Sequence, residues 1–455
     1  MKIALISPKG PLYRHRGGIF VKSLRYQPLT LPVLASLVPE EFSSAPIDIY
    51  DDGVEDVPEG LTADLVGMTV ITGNAKRAYA LSDSFRGRGI PVVLGGPHVT
   101  LLPEEALEHA DAICVGYAED AWPELLRDFV SGGMKREYRQ AEDFSLERLL
   151  PYPRRDLMSP KRYLTQAVFE ASRSCVHDCE FCVAPTAWGQ RQYRKNIGQL
   201  VNDIRNVGMR QILFVDLNLI SDLEYAKELF QALVPLNVEW FGLSTLMIAH
   251  EPELMTLMAK SGCKGLLLGF EALSGDSLGD VHKNFNASVD YGRLVHDLHK
   301  LGIAVQGCFV FGLDHDDKDV FDKAANCAIE WGIDLPRFSI LTPFPGTPLF
   351  KRLSSERRIL TRDWELYDGQ HVVFQPVRMT PDELLRGHER AWKKVYGWSG
   401  MARRLRRAGN YSLLKLSVNF GYRFYAHRLR RFYTCDVPLR PNQTPLRMPD
   451  DKGGQ

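Results

Sequence analysis

Short apolar runs alternate with helical patterns twice along this chain of 455 residues, and this alternation limits the folds that it can adopt. The first series covers about residues 1–135. Its predicted strands are Lys2–Ser7, Ile47–Tyr50, Leu65–Thr69, Val92–Leu94 and Ala112–Val115, and the helical patterns between them include Leu29–Val38, Ala75–Phe85 and Ala121–Phe129. Such alternation predicts a parallel sheet with right-handed crossovers, and hence an α/β domain of the doubly wound, Rossmann-like type.

A second alternation begins at Ala167–Ala171. Its further strand-sized runs are Gln211–Val215, Glu239–Ser244, Gly265–Phe270, Ala304–Phe311 and Arg337–Leu341. Six strands are too few for a closed eight-stranded barrel, so we expect a partial (β/α)6 barrel with its site at the C-terminal strand ends. The predicted division is a Rossmann-like domain over 1–138, a polar linker over 139–165, the barrel over 166–350, and a mostly helical region with a basic aromatic tail over 351–455.

The composition is that of a soluble globular protein, with 45% hydrophobic and 25% charged residues. The formal net charge is zero, which gives no general attraction to nucleic acid. The sequence contains no apolar run long enough for a membrane-spanning helix. The first ten residues, MKIALISPKG, resemble a first strand more than a secretory signal. We therefore expect a cytoplasmic protein, whose cysteines stay reduced.

Three of the eight cysteines stand within eight consecutive residues, in the stretch Ser174–Cys182. Three thiolates in a tight loop can hold a metal or cluster and leave one coordination position unfilled. A structural zinc site generally needs four protein ligands, and His177 is poorly placed as the fourth because it lies between two of the cysteines. No second Cys/His pair at zinc-finger spacing is present. The scattered cysteines are interpreted as small buried hydrophobes: Cys114, Cys263, Cys308, Cys327 and Cys435.

The spacing C-x3-C-x2-C, with Phe181 before the last cysteine, resembles the signature of radical S-adenosylmethionine (SAM) enzymes. Over about residues 1–390 the chain is similar to the branch with an N-terminal cobalamin-binding domain. The resemblance implies that Cys175, Cys179 and Cys182 hold a 4Fe–4S cluster, whose unligated iron is chelated by SAM. It also implies that one electron cleaves SAM to a 5′-deoxyadenosyl radical, which abstracts hydrogen from an unactivated carbon, while the protein positions the cofactors.

Other segments of the predicted barrel resemble the same branch. Gly269–Ala272 is similar to its G-[IV]-E-S segment, whose Glu lies near SAM, although Ala272 replaces the Ser. Phe214–Asn218 resembles its F-x-D-D segment with the second Asp displaced, and Thr342–Thr347 and Gly307–Gly312 resemble two further segments. An acidic residue directly after a buried apolar run favours a site. The candidate SAM-binding residues are Phe181, Asp216, Asn218, Ser244, Gly269 and Glu271.

In the N-terminal domain, Gly95–Glu105 resembles the G-G-x-H-x-T-x-x-P-E-E segment of the branch's cobalamin domain, and Gly116–Glu119 matches its G-x-x-E. These segments follow predicted strand ends, where doubly wound sheets bind ligands. Glycine also lets the backbone approach a large ligand closely. The candidate cobalamin-binding residues are Thr72, Gly95, Gly96, His98, Gly116 and Glu119.

Cobalamin domains of the mutase type carry D-x-H-x-x-G after their first strand, where the His ligates cobalt. Here Pro8–Pro11 follows the first strand, so the motif is missing at that place. The pattern D-x-H-x-x-G does occur at Asp297–Gly302, which we interpret as a helix end capped by Gly302. Without a His ligand, cobalamin would be held base-off, which suits cobalt(I) and methyl transfer. For His98 the spacing favours a role in the loop over cobalt ligation, and His15 is a weaker candidate ligand.

Residues 401–434 contain many basic and no acidic residues, interleaved with aromatic ones. Such a segment can lie on an anionic membrane surface, which would suit a lipid substrate. It can equally cap the open barrel and bury its apolar face, and we favour this second interpretation. Nucleic-acid binding is weakened by the zero net charge and the lack of a recognisable module.

The predicted function is a cobalamin-dependent radical SAM enzyme that methylates an unactivated carbon of a small-molecule or lipid substrate, with an external electron donor of the flavodoxin or ferredoxin type. The branch resembles both hopanoid methylases and the anaerobic magnesium-protoporphyrin monomethyl ester cyclase, so ring formation with both cofactors is an alternative. Two others are a cofactor-sensing regulator and an enzyme whose N-terminal domain is only a scaffold. The residues expected at the barrel mouth are Ser244, Thr245, Cys308, Phe309 and Thr342.

Overall fold

A computed structural model describes residues 1–10, 26–408 and 413–429 of the chain. Most of its strands form two six-stranded sheets, and two short strands pair separately. The strands are β1 (Ile3–Ser7), β2 (Ile47–Asp51), β3 (Leu65–Thr69), β4 (Val92–Gly95), β5 (Ala112–Val115), β6 (Glu137–Arg139), β7 (Val168–Phe169), β8 (Ser172–Arg173), β9 (Tyr193–Arg194), β10 (Gln211–Phe214), β11 (Glu239–Ser244), β12 (Cys263–Glu271), β13 (Ala304–Phe311) and β14 (Arg337–Ile340).

The α-helices of the described residues lie between most of the consecutive strands of both sheets and after the last strand. They are α1 (Thr30–Ser36), α2 (Ala75–Arg86), α3 (Pro97–Leu101), α4 (Pro103–Glu108), α5 (Ala118–Ser131), α6 (Val183–Trp188), α7 (Ile197–Val207), α8 (Leu223–Leu233), α9 (Pro252–Lys260), α10 (Gly275–Gly279), α11 (Tyr291–Lys300), α12 (Val320–Glu330), α13 (Pro348–Ser355), α14 (Pro381–Val395), α15 (Trp398–Ala408) and α16 (Leu413–Ala426). Within the ranges that the structure describes, no helix is both long and apolar enough to cross a bilayer.

The first sheet is parallel throughout and has the strand order β2-β1-β3-β4-β5-β6. Alternate residues of its central strands pack into two separate cores, as Ala4 and Ile6 do on one face and Ile3 and Leu5 on the other. This confirms the doubly wound, Rossmann-like sheet. The sixth strand, β6, was not predicted, because its sequence Glu-Tyr-Arg has no apolar run and it pairs with β5 through the backbone.

The second sheet runs β14-β13-β12-β11-β10-β7, so neighbouring strands follow one another along the chain with helices between them. All of its pairs are parallel. Phe214, Trp240, Phe309 and Phe338 are fully buried and belong to the core that the surrounding helices complete. Because side chains alternate along a strand, the residues between these positions face the interior of the partial barrel. The arrangement confirms the predicted partial (β/α)6 barrel.

The string Asp297–Gly302 lies at the end of α11, as predicted. The helix ends at Lys300, and Gly302 has a φ of 76°, in the left-handed region that favours glycine after a helix. The ring of His299 lies 2.8 Å (Nε2 to Oδ2) from Asp334, within the barrel half of the molecule. The string therefore has a structural role in the turn from α11 to β13.

The C-terminal helices α14–α16 pack on the barrel at β14. Trp392 Nε1 donates to Phe338 O at 3.0 Å, and Tyr396 Oη donates to Pro336 O at 2.9 Å. The guanidinium of Arg404 is fully buried, donates to the backbone oxygens of Ile333 and Asp334, and reaches Asn419 Oδ1 of α16 at 2.6 Å. This packing supports the capping interpretation for the described part of the segment.

Several residues of that basic aromatic segment lie outside the described ranges, namely Tyr411, Arg430, Arg431, Phe432 and Tyr433. Contact of residues 401–434 with a membrane stays a prediction.

Replacing Arg404 with Ala is expected to lower the free energy of unfolding by about 2–3 kcal/mol, because buried carbonyl oxygens lose their donor. Arg403→Ala is the matched control, since this neighbouring arginine is exposed. Denaturant unfolding measures the difference, and hydrogen exchange should show faster exchange in α16 for Arg404→Ala alone. Equal stability of the two variants would contradict the role given to Arg404.

Candidate active site

Cys175, Cys179 and Cys182 lie on the loop that joins β8 to α6, directly after the first barrel strand. Cys179 is buried, and the other two are partly exposed. Burial, together with the nearby Cys182, Glu271 and Cys175, raises the pKa of the Cys179 thiol to about 12, and the ammonium of Lys283 opposes the rise. The three thiols therefore share one environment, in which thiolates need a positive partner.

Within the described ranges, no three His, Cys, Asp or Glu side chains form a group that could hold a metal ion. A 4Fe–4S cluster differs from a single ion because each cysteine binds its own iron, so the sulfurs are spread around the cluster. Three thiols on one loop, with Lys283 beside them, are a donor set of the kind that fits such a cluster. His177 stacks on Phe285, with ring centroids 4.2 Å apart.

The cysteine loop is attached to α13 by an ion pair. Arg352 donates to both carboxylate oxygens of Glu180, at 2.8 Å from Nε and 3.1 Å from Nη2. The amide of Leu349 donates to Glu180 O at 3.1 Å, and the amide of Glu180 donates to Val281 O at 3.2 Å. Bidentate pairs of this kind fix geometry as well as adding energy. The loop between Cys179 and Cys182 is therefore held by elements far along the chain.

Asp216 follows β10 as predicted, but its carboxylate binds the protein itself. It accepts from the amides of Ala171 (3.0 Å to Oδ2) and Ser172 (2.5 Å to Oδ1) and from Ser172 Oγ (2.9 Å to Oδ1). Burial, with Glu170 nearby, raises the pKa of Asp216 to about 6. These bonds also explain why β7 ends at Phe169, two residues before the predicted end. Asp216 thus supports the chain just before the cysteine loop, and its binding of SAM stays a prediction.

Glu271 stands at the end of β12 with a φ of 60° and pairs with the buried Lys283, whose Nζ lies 2.5 Å from Glu271 Oε1. Burial by itself would lower the pKa of Lys283, but Glu271 and Cys179 raise it. A Cβ on Gly269 would lie 2.3 Å from Glu271 Oε1 and 2.7 Å from Lys283 Nζ, so the glycine leaves room for the pair in its present position. Lys283 was not among the predicted site residues, and its only signal was a position downstream of Gly269–Ala272.

The other candidate SAM-binding residues lie around the same strand ends. Asn218 and Ser244 are buried, and their side chains bond locally, to the amide of Ile220 at 3.3 Å (accepted by Oδ1) and to Thr245 O at 3.3 Å (donated by Oγ). Phe181 packs against the barrel core. The structure therefore brings these residues to one end of the barrel, where Asn218 Oδ1 and Ser244 Oγ each bond within their own turn.

A cavity of about 430 Å³ lies between the carboxyl ends of the first sheet and the start of the barrel. Four of the predicted cobalamin-binding residues line it: Gly95, Gly96, Gly116 and Glu119. Gly96 has a φ of 104°, and a Cβ there would lie 2.8 Å from Val70 O. The barrel side of the wall includes Arg173 and Ser174, which directly precede the cysteine loop. One cavity therefore joins the two sheets next to Cys175.

Thr72 and His98 do not line this cavity, and their contact with cobalamin stays a prediction. His98 is fully buried, with Nδ1 at 3.2 Å from Thr72 Oγ1 and Nε2 at 3.2 Å from Glu105 Oε1. Both ring nitrogens are engaged within the domain, so His98 orders the loop after β4 and is not free to ligate cobalt. His15 lies outside the described residues.

Charged and aromatic side chains form the wall between the two sheets, and three of them, Glu170, Arg173 and Lys195, were indicated by no motif. Arg173 lies 2.5 Å from Glu119 Oε1 (Nη1) and 2.7 Å from Glu170 Oε2 (Nε), and Lys195 Nζ lies 2.8 Å from the same oxygen of Glu170. The guanidinium of Arg173 also stands 4.9 Å over the ring of Tyr117. Burial would raise the pKa of Glu170, but Arg173 and Lys195 lower it to about 2. Arg173 thus joins the N-terminal domain to the barrel.

A model of the B12 binding domain matches residues 25–126. The bacteriochlorophyllide d C-12(1)-methyltransferase of Chlorobaculum tepidum is 31% identical over 83% of this chain and 84% of its own. The hopanoid C-2 methylase of Rhodopseudomonas palustris is 28% identical over 74% of this chain and 66% of its own. The solved structure of TsrM from Kitasatospora setae, a radical S-adenosylmethionine methyltransferase with cobalamin and a [4Fe-4S] cluster bound, has 17% identity and a TM-score of 0.62 over 85% of this chain and 82% of that one.

The likeness to TsrM concerns the fold, and it agrees with a Rossmann-like domain followed by a partial barrel. The sequence likeness to the bacteriochlorophyllide methyltransferase extends over most of both chains. The chain therefore belongs to the family of radical SAM enzymes with a cobalamin-binding domain.

Replacing Asp216 with Ala is expected to lower the iron content of the reconstituted protein, because Ser172 and Ala171 lose the acceptor that orders the chain just before Cys175. The free energy of unfolding should fall by about 1–3 kcal/mol. Asp319→Ala is the control, since Asp319 is exposed and its side chain caps nothing. Iron and sulfide analysis measures the effect. Iron content equal to that of Asp319→Ala would contradict a supporting role.

Proposed function

We propose that this protein is a cobalamin-dependent radical SAM enzyme that transfers a methyl group to an unactivated carbon of a small-molecule or lipid substrate. The observation that carries the proposal is the shared cavity. Gly96 and Glu119 of the cobalamin-binding domain line it from one side, and Arg173 and Ser174, which adjoin Cys175, line it from the other. A corrinoid in this cavity and a cluster on the cysteine loop would be neighbours.

Each group has residues suited to hold it. Cys175, Cys179 and Cys182 would bind the cluster, and Gly269 and Glu271, at the end of β12 beside Lys283, would lie next to SAM. Gly95, Gly96 and Gly116 leave room for a corrinoid at the strand ends. Glu119 Oε2 is buried without a hydrogen-bond partner in the described residues, and an amide of a corrinoid could donate to it.

When bound, the cluster and SAM supply a carbon-centred radical and the corrinoid supplies a methyl group. The chain itself supplies orientation and exclusion of water. Arg173 holds the two halves together through Glu119 and Glu170, and Glu180 holds the cysteine loop to Arg352. Tyr117 and Trp188 stack with centroids 5.2 Å apart and close part of the cavity wall.

Methyl transfer is favoured over ring formation because both relatives described above are methyltransferases, one of them at 31% identity over most of the chain. We further propose a cytoplasmic location, where thiols stay reduced, and an external electron donor of the flavodoxin or ferredoxin type. The partly exposed Cys175 and Cys182 leave the cluster loop near the surface, as an external donor requires.

The deciding experiment is anaerobic reconstitution with iron, sulfide and cobalamin, followed by SAM and a reductant. We expect bound cluster, bound corrinoid, 5′-deoxyadenosine and S-adenosylhomocysteine, with both nucleosides lost in Cys179→Ala. Cys327→Ala is the control, because this thiol lies on α12, outside the loop. Failure to form a cluster, or full activity of Cys179→Ala, would overturn the proposal. Deoxyadenosine without S-adenosylhomocysteine would favour the ring-forming alternative.

A substitution that fills the cavity should reduce binding of the corrinoid without affecting the iron–sulfur cluster. Ala118→Phe places a ring at the wall of the cavity and is expected to reduce bound corrinoid roughly tenfold or more, since overpacking of a formed site is costly. Cluster content should be unchanged. Ala402→Phe is the control, because Ala402 is exposed on α15. Absorbance of the bound corrinoid after gel filtration measures the effect. Unchanged corrinoid in Ala118→Phe would place the cofactor elsewhere.

A further inference from the structure

Arg337, at the start of β14, is the one buried arginine of the described chain that we find without an acceptor. Arg155 pairs with Asp203, Arg173 with Glu119 and Glu170, and Arg404 with backbone oxygens and Asn419. The guanidinium of Arg337 has neither a hydrogen bond nor an ion pair within the described residues. It lies deep in the protein, yet part of its surface stays accessible. A buried charge without a partner is costly.

The sheet register places Arg337 on the interior of the barrel. Arg337 pairs with Cys308 on β13, and Cys308 pairs with Gly269 on β12. The next residues in these strands, Phe338 and Phe309, are buried among the helices, so Arg337 and Cys308 point to the opposite, interior face. At the usual strand spacing, the backbone of Arg337 lies roughly 10 Å from Gly269. Arg337, Cys308 and Gly269 thus form a row across three strands, and the Glu271–Lys283 pair lies beside Gly269 at its end.

The other charges near this row are already balanced. Lys283 is committed to Glu271, with 2.5 Å between Nζ and Oε1. Cys308 lies between Arg337 and this pair: burial raises the pKa of its thiol to about 11, and Arg337 opposes the rise. Because Glu271 and Lys283 pair with each other, Arg337 is the positive charge along this row that has no ion pair among the residues that the structure describes.

Aromatic side chains of the C-terminal helices enclose the same place. Tyr396 donates to Pro336 O, next to Arg337, and stacks on Tyr422 with centroids 5.4 Å apart. Tyr425 packs on Trp392 with centroids 5.3 Å apart. Tyr396, Tyr422 and Tyr425 all lie close enough to influence the guanidinium. A mostly apolar enclosure with one fixed charged group is the usual form of a small-molecule site.

We propose that Arg337 binds a carboxylate of the substrate, so that the substrate is an apolar molecule that carries one carboxylate. A carboxylate matches a guanidinium through two parallel N–H···O bonds, and its single charge matches the single free cation. A phosphate dianion would need a second cation, and Lys283 is already paired. The proposal rests on the proposed function for its catalytic setting, but binding can be tested without turnover.

The test uses anaerobically reconstituted holoenzyme titrated by fluorescence with 1-pyrenebutyrate and with its methyl ester, two apolar probes that differ in the carboxylate. The wild type is expected to bind the acid roughly tenfold or more tightly than the ester. Arg337→Gln should abolish this preference, and Arg337→Lys should keep part of it. Arg386→Gln is the matched control, since Arg386 is exposed on α14, and should behave as the wild type.

Equal binding of acid and ester by the wild type, or an unchanged preference in Arg337→Gln, would overturn the proposal. SAM also carries a carboxylate, so its binding is measured in parallel by equilibrium dialysis. We expect Arg337→Gln to bind SAM as the wild type does, and a comparable loss of SAM affinity would assign Arg337 to SAM instead. The melting temperature of Arg337→Gln should be equal or higher, because an unpaired buried charge is removed. A lowered one would indicate a structural role and overturn the proposal.

Discussion

The ion pairs of Arg173 connect the parts of this molecule that must act together. The residue follows the first barrel strand and precedes Cys175 by two positions, while its partner Glu119 belongs to the first turn of α5 in the N-terminal domain. A buried guanidinium between two carboxylates is stable only while both partners stay in place. Since Glu170 is held in turn by Lys195, the cavity wall, the cysteine loop and the contact between the sheets depend on one another.

Two carboxylates that follow barrel strands illustrate how the surroundings decide a role. Asp216 is surrounded by amide and hydroxyl donors, so it orders the chain before the cysteines. Glu271 is held in a left-handed conformation beside Lys283 and a glycine that leaves room for the pair. Both oxygens of the Asp216 carboxylate are hydrogen-bonded within the protein. The Glu271 carboxylate lies at the edge of the site, paired with Lys283 next to the cysteine loop.

The C-terminal helices contribute more than a cover for the open barrel. They bring Tyr396, Tyr422 and Tyr425 to the interior end of β14, close to an arginine that the barrel strands leave without a partner. Arg404 stabilises this arrangement by satisfying carbonyl oxygens between α12 and β14 and by reaching Asn419. The basic aromatic segment therefore supplies Arg404, which has a structural role, and also Tyr422 and Tyr425, which lie near Arg337.

Local pattern determined the main architecture from the sequence alone. Apolar runs such as Leu65–Thr69 and Ala112–Val115 became strands at the predicted positions, because a strand buried on both faces needs such a run. The spacing of Cys175, Cys179 and Cys182 likewise indicated a cluster loop, since the three thiols are close in the chain itself. β6 could not be found in this way, because a polar edge strand is defined by the backbone of its neighbour.

Tertiary structure decided which polar groups are free. No motif separates Asp216 from Glu271, or distinguishes His98, whose nitrogens are both engaged, from a cobalt ligand. The partner Glu119 of Arg173 lies on a distant segment, and Arg337 is notable only because folding brings no carboxylate of the described residues to it. Hydrogen bonds and charge pairs between remote residues depend on distances that only the folded chain defines, and sequence spacing carries no record of them.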